Sequence, residues 1–440
     1  MVDLTRHERQ GETPVNPYSL LEAVNNSSQT AHTAWLIFLG VMAYLTIAVA
    51  GVTHKDLLLE TPVSLPILQV DIQLRQFFQF APVVLVLMHV GLVSQLALLA
   101  RETLEFDASI RLIEATDKRT HPLRLELNNF FFVQAIAGPH RSRVMSAFLY
   151  GMSWLTLVAL PVLLLLYVQV VFLPYHDAGI TWIHRAALIA DVVMLISIGV
   201  FLLRAEASFP QALMRSTRAH PVSFLVTTLV LLFVGLFSFL FATVPGEALD
   251  RFTQRTFGLE SDDNPSRRAR LVRGYAVPFL ASGPDGALLG IFKRNLEVMD
   301  TDLVLDSAQR PGEPSLNLRG RDLRFAKLDR SDLHQADFTG ADLTGASLVG
   351  AELRGAWMQC ADIMRLVVGG DREGAECTHA RRATLTRARL DGAHLAGIDL
   401  TGANLAEARL EGAALGYALM PGANFSSARL DKADLSGGVE

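Results

Sequence analysis

A chain of 440 residues that is half hydrophobic, with a positive mean hydropathy, departs from ordinary soluble composition and points first to membrane segments. Its net charge of −5 is too mild to address nucleic acid or an acidic substrate. Two cysteines, Cys360 and Cys377, exclude a disulfide framework and a cysteine-rich zinc site.

Residues 1–33 are polar and mixed in charge, with no short apolar core ahead of a small-residue cleavage site. They read as a cytoplasmic N-terminal segment, and the first hydrophobic stretch then does the targeting. Within 34–246, five segments have the length and apolarity to span a bilayer: 34–53, 81–100, 145–173, 186–203 and 222–244. Five such runs in half a chain fit buried soluble helices poorly. Pro161 predicts a kink in the third. The fourth is the weakest, being short and carrying Asp191. Twelve Lys and Arg residues lie in the N-terminus and in the loops after the second and fourth spans, against three on the other side. That bias puts the N-terminus in the cytoplasm. Five spans send the remainder outward, whereas the arginines of 251–273 favour the cytoplasm. The side of the C-terminal domain, and four spans against five, stay open at this level.

Residues 247–315 are rich in Pro, Gly and charge and read as a linker, with a small cap near 287–306. From 316 the pattern changes. An apolar residue recurs every fifth position through 316–365, from Leu318 to Ile363, and again through 383–437, from Leu385 to Leu435. All 21 centres are apolar, and Ala stands two residues before 17 of them. A period of five is neither helix nor plain strand, and a fixed short period means a solenoid. Between the two runs, 366–382 reads as an inserted loop holding Gly369, Gly370 and Gly374. Cys377 and His379 lie in it as binding-loop candidates, with Cys360 nearby, and the two thiols are expected free.

The units ADLTG, ANLAE and ADFTG resemble those of the pentapeptide-repeat family. The resemblance implies a right-handed quadrilateral parallel β-helix, four units to a coil, with the centre and the residue two before it pointing inward. The expected fold is therefore an α-helical transmembrane bundle of about five spans followed by that β-helix. At about 4.8 Å per coil, some five coils make a rod on the order of 25 Å long. Residues twenty apart should then stack. Arg389, Arg409 and Arg429, with Asp391, Glu411 and Asp431 two residues on, form an expected charge ladder. Asp322, Asp342 and Asp362 form an expected acidic column. No capping helix follows the last coil, so self-association through that end is expected, and the mass of the solubilised protein reads it. The order of parts, with phrases such as THKDLLLETPVSLP and PYHDAGITWIHR, also resembles bacterial membrane proteins that end in such repeats. It implies a multi-pass protein of the bacterial inner membrane.

There is no P-loop, dinucleotide fingerprint, nucleophile elbow or HExxH, so neither a cofactor nor a catalytic residue is expected. One set of groups has chemistry. His54, Asp56, Asp71, His176, Asp177, His184 and Asp191 fall at the outer ends of spans, and His89 lies within the second. Convergence would bind a divalent metal or relay protons. The plainer reading is interfacial residues that cap helix ends. The function expected is a non-catalytic protein–protein interaction scaffold whose partner the sequence does not name. The alternative is a transporter, channel or metal-dependent membrane protein with a regulatory repeat. A DNA-mimicking topoisomerase protector fits worst, because 316–440 has 17 acidic against 15 basic residues and cannot imitate duplex phosphate.

Overall fold

The computed structural model describes residues 16–65, 70–117, 121–139, 142–201, 221–257, 287–288, 292–304 and 313–438. Most of the linker at 258–286, and the N-terminal residues 1–15, lie outside them. The chain divides into two compact units.

The first unit takes residues up to 49, then 79–168 and 183–236. Helix α1 runs Pro17–Ala50, so the polar segment expected over 1–33 is helical from Pro17. The Asn16 side chain accepts the Tyr18 N–H at its start. Its buried residues, including Val24, Ala31, Trp35, Phe38, Met42 and Val49, recur at helical spacing and form one stripe. This stripe continues from the polar stretch into the apolar one, which is why composition alone put the start too late. Helix α3, Leu74–Asp117, overruns the expected 81–100 at both ends. The third apolar segment is α5 (Arg143–Trp154), a π-helical turn (Leu155–Ala159) and α6 (Leu160–Phe172). Pro161 has no N–H for the Leu157 carbonyl four residues back, and its ring crowds that oxygen. The backbone widens into the π turn at this place. Helices α7 (Ala178–Phe201) and α8 (Pro221–Leu236) complete the set. Five helices are long and apolar enough to cross a membrane. In the charged connection after α3, buried Arg124 donates to Asp107 (2.7 Å), Glu114 (2.9 Å) and the Ala137 carbonyl (2.8 Å). That knot fixes the connection to the foot of α3.

The second unit takes 50–78, 169–182 and 237–440. In 50–78, Thr53 and Asp56 form a capping box on α2 (His54–Leu59), and an antiparallel pair follows, β1 (Val63–Leu65) with β2 (Val70–Ile72). The repeats wind as a parallel solenoid whose rungs pair at an offset of twenty, as in Asp322 with Asp342 and Arg389 with Arg409 with Arg429. Leu318, Leu323, Phe338, Leu390, Leu405 and their equivalents fill the axis, and alanines such as Ala336, Ala388 and Ala403, two residues before a centre, are buried beside them as far as Ala418. The interior is a continuous apolar column in which a small residue alternates with a large one.

Two boundaries differ from the sequence reading. The solenoid begins inside the segment read as linker and cap. Glu297 pairs with Lys327 and Asp302 with Asp332, at an offset of thirty, and Leu296, Val298 and Leu303 are buried. The inserted loop also lies earlier than 366–382. Asp342 pairs with His379 at an offset of 37, seventeen more than a coil, and Ala380 takes the inward place that the period assigned to Ile363. The excursion runs over 361–377. Asp362 leaves the acidic column and caps a short helix, Ile363–Gly369, so the column is Asp322, Asp342, His379 and Asp399. Cys360 and Cys377 are not free. They are joined in a buried disulfide at the two feet of the loop.

Candidate functional site

Among the described repeat residues, Ser331 and Thr378 are polar side chains at inward places, and each bonds to a backbone carbonyl. The chemistry of the solenoid is therefore on its outside, on the seat of the first coil and on the faces beyond.

The seat is polar and tightly paired. The Tyr175 hydroxyl donates to Glu60, and the Arg321 guanidinium lies 4.2 Å from the Tyr175 ring centroid while also donating to Glu60 (3.1 Å) and to the Leu57 carbonyl (3.2 Å). His176, in the left-handed conformation, meets the Arg294 carbonyl through Nε2 (3.1 Å) and stands 3.5 Å from Asp322 through Nδ1. Burial pushes the Asp322 carboxyl up, but the hydrogen bonds from Arg324, with His176 beside it, outweigh it and hold it well below the usual carboxylate range. Arg294, almost fully buried, donates to Asp250 (2.5 Å) and to the Thr243 carbonyl (3.0 Å). His54 Nδ1 accepts the Glu297 N–H (3.0 Å), and its burial pushes it below its ordinary value, keeping it the neutral acceptor this bond needs. These pairs bind 54–60, 175–177 and 243–250 to the first rungs.

On the faces, the expected charge ladder is present. Arg389 pairs with Glu352 (2.9 Å), Arg409 with Asp391 (3.5 Å), and Arg429 with Glu411 (3.7 Å). An acid lies between successive arginines, so the column does not repel itself.

The metal candidates are not brought together. His54 and Asp56 serve α2 and the first rung. Asp177 accepts from Arg75 (2.9 Å) and from the Ile180 N–H at the start of α7 (3.0 Å). His176 belongs to the seat, and His184 is buried in α7. Among the described residues no three His, Cys, Asp or Glu side chains are grouped to hold a metal. One pair does converge. His89 of α3 meets Asp191 of α7 at 2.6 Å through Nδ1, and both are buried. Its Nε2 lies 3.1 Å from the Leu157 carbonyl in the π turn, and Phe38 of α1 stacks on the ring at 5.0 Å. A carbonyl only accepts, so Nε2 carries hydrogen and donates. The short contact at Nδ1 then joins the ring to the carboxyl. Among the described residues, Asp191 Oδ2 is buried with no hydrogen-bond donor. Pro161 is the sequence signal for this site, because it withdraws the N–H that the Leu157 carbonyl would otherwise receive.

Residues 317–356, 381–416 and 408–438 match the family model described as pentapeptide repeats, in eight copies. The C-terminal repeat segment is a pentapeptide-repeat domain. Solved structures similar to it include Rfr23, a pentapeptide repeat protein from the cyanobacterium Cyanothece 51142, at 22% identity over 32% of this chain and 83% of that one, with a TM-score of 0.17. HetL, a pentapeptide repeat protein involved in heterocyst differentiation regulation in Nostoc sp. strain PCC 7120, is 27% identical over 32% of this chain and 54% of its own, also at 0.17. A pentapeptide repeat protein from the Arabidopsis thaliana thylakoid lumen is 28% identical over 26% of this chain and 64% of its own, at 0.11. No curated protein matches the chain.

The pentapeptide-repeat domain has a feature the sequence reading missed. Its inserted loop leaves one corner and lies along the next two. Cys360, Ile363 and Leu366 crowd the space above Gly397, where a side chain would collide with them. Arg372 donates to the Gly397 carbonyl (2.9 Å) and to that of Tyr417 (3.0 Å). Cys377 is thus a structural foot of the loop rather than a free binding group, and His379 stands on a solenoid face, 3.8 Å from Asp399. On the face bordering the loop, Trp357 and His394 stack with centroids 5.7 Å apart and 11° between planes. They stand 37 residues apart, so the loop's length had to be known before they could be seen as neighbours.

Proposed function

We propose that this protein is a multi-pass bacterial inner-membrane protein that presents its pentapeptide-repeat domain, outside the cytoplasm, as a non-catalytic platform for protein partners. The observation that carries this reading is the makeup of the second unit. The segments joining the apolar helices at 50–78 and 169–182 are part of the same unit as the repeats. The platform is therefore seated on those connections by buried pairs. With five spans, these connections and the repeats share one side, opposite the N-terminus and its basic loops. The Cys360–Cys377 disulfide fits an oxidising compartment. A closed apolar interior leaves faces, not a cavity, for function, and a second copy of the chain is one partner such faces could take.

The test joins topology to redox state. Maleimide labelling of the denatured full-length protein is expected to modify neither cysteine before reduction and both after it. A C-terminal reporter fusion is expected to be active on the outer side. Two free thiols together with a cytoplasmic reporter would reject the reading.

The His89–Asp191 pair favours a second reading, a proton-coupled transporter or channel with the repeats as an appendage. Ionisable groups inside a span usually serve a purpose. In proteoliposomes, that reading expects a proton flux that Asp191→Asn abolishes. No flux from the wild-type protein, or a flux that the variant retains, rules it out.

A further inference from the structure

Two stretches of the chain compete for one rung of the solenoid. Residues 378–382, Thr-His-Ala-Arg-Arg, occupy the rung between Asp342 and Asp399, with Thr378 and Ala380 inward. Residues 361–365, Ala-Asp-Ile-Met-Arg, lie in the loop, yet they have the better side chains for that place. Every other repeat centre from Leu318 to Leu435 is Leu, Phe or Met, and Ala380 is the exception. Thr378 stands where alanine is usual and brings a hydroxyl to the axis, 2.9 Å from the carbonyls of Phe338 and Gln359. Ala361 and Ile363 in these places would set an isoleucine, not an alanine, between Leu343 and Leu400, burying more apolar surface.

Both arrangements use the same length of chain. With 378–382 on the rung the loop is 361–377; with 361–365 on it the loop is 366–382, and each is seventeen residues long. The coils on either side keep their places in both. What separates the two is the disulfide. Cys360 directly precedes the first unit and Cys377 the second. Their bond holds Cys377 at the start of the rung, so 378–382 spans it already and loses little further freedom by bonding there. Ile363 and Leu366 then pack on the two cysteines and Ala375. Without the bond Cys377 is released, whereas 361–365 stays joined to the coil through Cys360 by the chain itself.

We propose that the disulfide is a register switch: oxidised, the rung is 378–382; reduced, it is 361–365. The reductant is a dithiol. Its thiolate attacks one Sγ and displaces the other, and its second thiol closes on the mixed disulfide. Two electrons and two protons pass to the chain, and the dithiol becomes a disulfide. The switch rewrites one face. Oxidised, His379 separates Asp342 from Asp399, and Arg381 pairs with Asp399 (2.8 Å). Reduced, Asp362 takes the place of His379 and Met364 that of Arg381, so three acids follow one another and Asp399 loses its arginine. The reduced face suits a basic partner better than the oxidised one.

Hydrogen–deuterium exchange of the full-length protein in nanodiscs, read on peptides covering 361–365 and 378–382, tests the switch. Oxidised protein is expected to exchange slowly at 378–382 and about tenfold faster or more at 361–365. Dithiothreitol, and separately the Cys360→Ser/Cys377→Ser variant, should reverse that ranking while 401–420 stays slow. Ile363→Ser in the serine background removes the competing centre and should return slow exchange to 378–382. Ile363 is a half-buried loop residue, so this change leaves the coils intact. Slow exchange kept at 378–382 after loss of the disulfide overturns the proposal. So does fast exchange in both segments, or an Ile363→Ser variant that leaves 378–382 fast. The result is read within the solenoid and holds whichever side of the membrane bears it.

Discussion

Arg294→Leu is expected to destabilise the repeat-bearing unit by about 3–5 kcal/mol, the range for removing one partner of a buried ion pair. Arg294 and Asp250 are both nearly inaccessible, with side-chain exposures of 4% and 2%. The loss is not the bond alone. It leaves a buried carboxylate with the Gly246 N–H (2.8 Å), the Thr243 hydroxyl (3.1 Å) and the charge of Arg324, but without its bonded guanidinium. The paired variant Arg294→Leu with Asp250→Leu should recover much of the stability, because the remaining polar groups are then uncharged. Thermal proteolysis of the detergent-solubilised protein measures both. A single variant as stable as the wild type would mean that Arg324 or water, not Arg294, balances Asp250.

The second large effect lies on the solenoid axis. Leu405→Ala is expected to cost about 2–5 kcal/mol, the range for emptying a leucine site in a rigid core. Leu405 is fully buried between coils above and below, and its N–H donates to the Asn424 carbonyl (2.8 Å). Leu435→Ala, at the same place in the repeat but 45% exposed, should cost well under ~1 kcal/mol. In a stack where each coil touches only its neighbours, the first variant also uncouples the coils beyond it. Limited proteolysis should then clip after residue 400 before it clips the first coil. Equal costs at 405 and 435 would contradict nearest-neighbour stability.

The repeats were legible because a period of five has one physical meaning, and because alanine beside each leucine states how much room the axis leaves. What misled the reading was consensus without context. Ala361-Asp362-Ile363 has the form of a repeat unit, yet it opens a helix, since the disulfide draws Cys360 and Cys377 together and shortcuts the chain. The unit that replaces it is centred on Ala380, too small to mark a period. The first rungs were hidden for a related reason. Val298 and Leu303 keep the spacing of five, but ten extra residues separate them from the next coil, and two centres do not make a pattern. The spans were legible by apolarity, while their ends were not, because α1 and α3 continue as amphipathic helices whose polar turns resemble loops. The His89–Asp191 contact joins residues 102 apart, so an ionisable group in each of two apolar segments marked its ends, and Pro161 its neighbour, without showing that they meet. The charge ladder could be paired in advance, because its period is the coil itself.

The seat of the first coil also sets an order of events. A parallel solenoid grows by adding each coil to the open edge of the one before it, and the first coil has no earlier repeat to copy. Its edge is supplied by the rungs around Leu296–Leu303 and held by His54, Glu60, Tyr175 and His176, which belong to connections between apolar helices. Those connections come from two separate stretches far earlier in the chain. The template for the repeats is therefore complete only when 50–78 and 169–182 are both in place, although the repeats are translated after them. A chain that misplaces either stretch offers no starting edge, and its repeats stay open to proteolysis.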